Sequence, residues 1–145
     1  MNRITFLWLQ AVAWGHILGG VLLFSGQPDA WFNAYLAHVT EHFTLTESGV
    51  DVLSVFVRFF GATIASWGVL MLTVVLGLKR RLNRSALMGL TVATALWFVL
   101  DSSLSWVSGL TVHLPINLFA VLSLLVPCTV LWIELNREST TSATP

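Results

Sequence analysis

A chain of 145 residues is long enough for one domain. Hydrophobic residues make up 56% of it and charged residues 10%, with a mean hydropathy of +0.82; a soluble domain carries about 25% charge to keep its surface solvated, so lipid has to cover much of this one. The formal net charge of zero supplies no field to attract nucleic acid, and the lone Cys128 excludes an internal disulfide and a multi-cysteine metal centre.

A spanning helix needs roughly 20 mostly apolar residues to cross a hydrocarbon core of about 30 Å. Residues 4–25, 50–78, 85–110 and 113–135 meet that requirement. The first is longer than a signal-peptide core and no small-x-small cleavage site follows it, so it reads as a retained span. The segment 26–49 is too long for a turn. Pro28-Asp29 suits a helix start, and Phe32, Leu36, Val39 and Phe43 then form one stripe at helical spacing beside Trp31, Tyr35, His38 and His42. This predicts an amphipathic helix over about 28–44, lying in the outer interface. Ser48-x-x-Asp51 resembles a capping box opening the second span. The basic run Lys79-Arg80-Arg81-Leu82-Asn83-Arg84 joins the second and third spans, residues 108–112 turn tightly into the fourth, and 138–145 form a polar tail expected to be disordered.

Arg3, Lys79, Arg80, Arg81, Arg84 and Arg137 fall at the N-terminus, the second connection and the C-terminus. Four crossings put these on one side, while Asp29, Glu41, Glu47 and Asp51 fall on the other. The positive-inside rule then predicts both termini in the cytoplasm, and small size with this asymmetry fits a bacterial inner membrane. The expected fold class is all-α membrane: a four-transmembrane-helix bundle with one outer interfacial helix.

Ionisable side chains within spans are costly and face a bundle interior or wet cavity. Counted at 1.5 Å per residue, Arg58, Asp101 and His16 each lie about 12–13 Å below the outer end of their helices, and Asn117 about 6 Å. They are expected to meet as a polar cluster, with Arg58 forked onto Asp101 because neither charge is cheaply buried alone. Three readings stand: an interhelix staple, a ligand-binding pocket, or Arg58 snorkelling toward Asp51. Gly61, Ala65 and Gly68 offer a small-residue face for close helix approach. Thr94, Asp101, Ser105 and Ser108 form a polar stripe on the third span.

All four histidines, His16, His38, His42 and His113, map to the outer half. His38-Val-Thr-Glu41-His42 spells the H-x-x-E-H pattern of inverted zinc peptidases, but a catalytic zinc needs a third protein ligand that no downstream helix offers. A looser metal site on His38, His42 and His113, or one that involves His16, and plain interfacial and capping histidines are the other readings. Pro127 falls mid-helix, where it frees the carbonyl of Ser123. Glu134 can pair locally with Arg137. Trp31, Trp106 and Trp132 sit where aromatic belts belong, whereas Trp8, Trp14, Trp67 and Trp97 lie deeper as packing or lipid-facing bulk.

Arg58-Phe59-Phe60-Gly61, the apolar run after it, Trp97 with Asp101, and Ile116-Asn117-Leu118 together resemble small four-helix bacterial membrane proteins of the BphX-like and related uncharacterised groups, over roughly residues 50–135. The resemblance implies four spans and no assigned activity, with Arg58, Gly61, Asp101 and Asn117 as the matching positions. The leading expectation is a non-enzymatic membrane protein whose cluster of His16, Arg58, Asp101 and Asn117 binds a lipid or small amphiphile, or an accessory subunit of a larger membrane complex. Two others stand beside it: an oligomeric proton-coupled transporter using Asp101 or His16, and an outward-facing metal protein. No cofactor is implied; the expected partners are lipids and further copies or subunits, not nucleic acid.

Overall fold

A computed structural model describes residues 3–141. Among them are five helices and no strand: α1 (Arg3–Ser25), α2 (Asp29–Phe43), α3 (Glu47–Arg80), α4 (Arg84–Val107) and α5 (His113–Thr141). α1, α3, α4 and the part of α5 up to Arg137 are long and apolar enough to cross a membrane. The 34 residues of α3 cover about 51 Å, well beyond a core of about 30 Å. The tail expected to be disordered from residue 138 is helical as far as Thr141, and the rest of it lies outside the described residues. The chain forms two compact units. One is Ala13–Leu70; the other joins the start of α1, up to Val12, to everything from Met71 onward.

Within Ala13–Leu70, glycine sets how α1 meets α3. A Cβ on Gly61 would strike the Phe24 amide nitrogen and lie 2.8 Å from the Gly20 carbonyl oxygen. One on Gly20 would lie 2.6 Å from the Gly61 carbonyl oxygen, and one on Gly68 2.7 Å from the Ile17 amide nitrogen. Backbone therefore touches backbone along the face that Gly61, Ala65 and Gly68 were expected to form, with Gly20 as its counterpart on α1. These contacts also fix the register. Gly61 stands level with Gly20 to Phe24, while Gly68 stands level with Ala13 to Ile17. Since α1 ends at Ser25 and α3 begins at Glu47, α3 overhangs α1 by roughly three turns, about 16 Å.

α2 covers that overhang. Phe32 and Leu36 are buried with Val57, and Leu23, Tyr35 and Leu53 pack around them. The stripe assigned to the membrane interface is thus buried on protein, apart from Phe43, which is 44% exposed. Trp31, 79% exposed, meets the surroundings more than Phe43 does. The capping box expected at Ser48 and Asp51 is displaced: the Thr46 hydroxyl accepts from the Gly49 amide at 3.4 Å, and α3 opens at Glu47. Thr46 wins because its oxygen lies three residues ahead of an open amide, as an N-cap requires.

In the other unit, Phe6 and Leu9 of α1, Val75 and Leu78 of α3, Leu87 of α4 and Leu131 of α5 are buried. α4 starts on an N-cap, the Asn83 side chain accepting from the Ala86 amide at 3.0 Å. Pro127 lies inside α5 and has no N–H to give the carbonyl four residues back. That carbonyl, of Ser123, accepts instead from the Trp8 indole N–H at 2.9 Å. Trp8 is therefore more than bulk: it supplies the donor that the proline removes.

Three outcomes follow for unfolding in mixed detergent micelles. Gly61→Ala should lose about 1–3 kcal/mol, because neighbouring backbone has to move. Gly15→Ala, at a position with nothing within 4 Å, should be neutral or gain up to about 1 kcal/mol. Trp8→Phe should cost about 1 kcal/mol, and markedly less in a Pro127→Ala background, where the restored amide serves Ser123; equal costs in both backgrounds would refute the substitution of one donor for the other.

Candidate functional site

The strongest concentration of polar chemistry in Ala13–Leu70 is at the end of α1. The last four carbonyls of a helix have no partner within it. Here Gly26 (φ 76°) closes a Schellman turn, its amide reaching the Leu23 carbonyl at 3.2 Å while the Gln27 amide reaches that of Leu22 at 2.9 Å. The carbonyls of Phe24 and Ser25 remain, and the Arg58 guanidinium takes both through Nη1, at 3.2 and 3.0 Å. The guanidinium carbon also sits 5.1 Å from the centre of the Phe32 ring, a cation–π contact. A Cβ on Gly26 would meet Arg58 Nη2 at 2.6 Å, so the turn needs glycine for both its φ and its space. The cation further complements the negative end of the helix dipole.

Arg58 has five N–H donors, and two are engaged in this way. It is half-buried, and Phe24, whose carbonyl it bonds, keeps an exposed side chain. His16 lies elsewhere on α1. The glycine register sets it near Gly68, whereas the Arg58 head group sits at Phe24 and Ser25, about 12 Å further along the helix. The shared depth expected for these two side chains assumed that helix ends lie in one plane, and the overhang of α3 removes that premise.

Asp101 and Asn117 do meet. Asn117 Nδ2 donates to Asp101 Oδ2 at 2.6 Å and to the Ser102 hydroxyl at 3.3 Å, joining α4 to α5. Asn117 is 4% exposed. Within its own compact unit Arg58 rests on the α1 carbonyls, and within the other the Asp101 carboxyl accepts from the Asn117 amide. Of the polar stripe on α4, Thr94 and Ser105 are buried, and the Thr94 hydroxyl returns to the Leu90 carbonyl at 2.8 Å. Asp51 is exposed at the start of α3.

His38 and His42 are exposed on α2, with the His42 ring edge-on to Phe43 at 4.7 Å. His113 opens α5 and is half-buried. Among the described residues no three His, Cys, Asp or Glu side chains gather closely enough to hold a metal ion. The residues that sequence reasoning missed are Gly26 and Phe32. Gly26-Gln27-Pro28 directly after an apolar run is a C-cap signature, and two carbonyls without donors follow from it.

Asn117→Leu should destabilise the fold by about 1.5–3 kcal/mol, since it strips a carboxylate of its donor. Adding Asp101→Leu should restore part of that loss, as read from unfolding midpoints in detergent. No protein-family model matches the chain, and no curated protein or solved structure matches it.

Proposed function

We propose that the chain is a non-enzymatic membrane protein that binds an amphiphile with an anionic or strongly accepting head group at Arg58. It crosses the cytoplasmic membrane four times, with both termini inside and α2 at the outer surface. Its basic residues, gathered at the N-terminus, the α3–α4 connection and the C-terminus, support that orientation. One observation carries the binding reading: a half-buried guanidinium keeps three N–H donors beyond the two spent on α1 carbonyls. In an apolar medium those donors need an acceptor, and a phosphate or carboxylate head group matches a guanidinium in charge and shape. Exposed Phe24 and Trp31 provide apolar surface for the chain below such a head group.

Lipids retained through gentle purification test this by mass spectrometry. Arg58→Leu should lose a retained anionic species, Arg58→Lys should keep part of it, and Trp31→Ala should weaken it without disturbing the fold. An unchanged lipid complement in both the leucine and the Trp31 variants, each still folded by circular dichroism, removes the reading.

A further inference from the structure

A second polar feature lies far along α3 from Arg58. Lys79, Arg80, Arg81 and Arg84 put four cations into six residues around the junction of α3 and α4. Arg84 is engaged, bonding the Asn136 carboxamide oxygen at 3.0 Å with its guanidinium 6.0 Å from the Trp132 ring centre. Lys79, Arg80 and Arg81 are exposed, and their side chains have no hydrogen bond or ion pair among the described residues. Beside them is an open cavity of 360 Å³, lined by Val74, Gly77, Leu78, Arg81, Asn83 and Ala86. Its floor is apolar and belongs largely to a helix fit to cross a membrane. Its rim carries one free cation and the amide of Asn83, whose oxygen is held by the Ala86 N–H, leaving its NH₂ as a donor.

We propose that this groove is a binding site for an anionic phospholipid, independent of the Arg58 site. The phosphate sits between Arg81 and the Asn83 amide, and the first part of an acyl chain lies over Val74, Gly77, Leu78 and Ala86. Charge and shape together select this occupant. A soluble anion would leave the apolar floor wet, and a neutral lipid would leave the cations uncompensated. Gly77 makes the groove: a Cβ there meets nothing within 4 Å, so the trench exists because a side chain is missing at a place where one would fit.

Native mass spectrometry with phosphatidylglycerol and phosphatidylcholine of identical acyl chains tests the site. The wild-type chain should prefer phosphatidylglycerol. Arg81→Ala should reduce that affinity about fivefold, and Lys79→Ala, off the groove, by clearly less. Gly77→Leu puts a side chain into the trench while keeping every cation, and its Cβ has nothing within 4 Å, so it should abolish the preference in a chain that elutes and unfolds normally. The proposal fails if Gly77→Leu binds phosphatidylglycerol as the wild type does, if Lys79→Ala costs as much as Arg81→Ala, or if the two lipids bind equally; the first two results mean diffuse surface charge and no groove, the third that head-group charge is not recognised at all.

Discussion

A backbone carbonyl without its helical partner has no water to turn to in an apolar medium, and several kilocalories ride on finding it a donor. Two side chains in this protein answer that need from a distance in sequence. Arg58 reaches 33 and 34 residues back to the end of α1, and Trp8 spans 115 residues to the gap that Pro127 opens in α5. Each is a polar group in a setting that disfavours polar groups, and each is held there by a backbone oxygen. The residues with the most conspicuous chemistry are thus first of all structural partners of the main chain.

The closeness of α1 and α3 makes the first of these answers possible. With glycine at positions 20, 61 and 68 the two backbones touch, and the register that results brings Arg58 level with the carbonyls it serves. A larger residue at any of the three would move the guanidinium away from the end of α1. The same register produces the overhang of α3, and the overhang gives α2 an apolar surface to lie on. The packing of a few hydrogen atoms in the crossing therefore decides where a stretch of about four helical turns further out can settle.

Features governed by local rules were legible in the sequence. Four apolar stretches of spanning length, the small face of Gly61, Ala65 and Gly68, the carbonyl released by Pro127, and the nearness of Asn117 to Asp101 all follow from spacing and composition. What stayed hidden depends on where helices end relative to one another. Depth counted along separate helices presumes a common plane at their ends, and the glycine register of α1 and α3 breaks it, so Arg58 and His16 are not level. Arg58 bonds main-chain oxygens of α1, partners that no residue type announces. Trp8 was hidden for a related reason: nothing near it in sequence shows that a proline 119 positions later leaves an acceptor in want of an N–H.

The bond between Trp8 and Ser123 also bears on the order in which the protein is made. α1 leaves the ribosome with a donor whose acceptor belongs to α5, so that donor has to wait while α2, α3 and α4 are made. Until α5 arrives, the opening turns of α1 have only the end of α3 and α4 from the unit to which they belong. The arrival of α5, more than the insertion of α1, is then the event that gives Trp8 its acceptor.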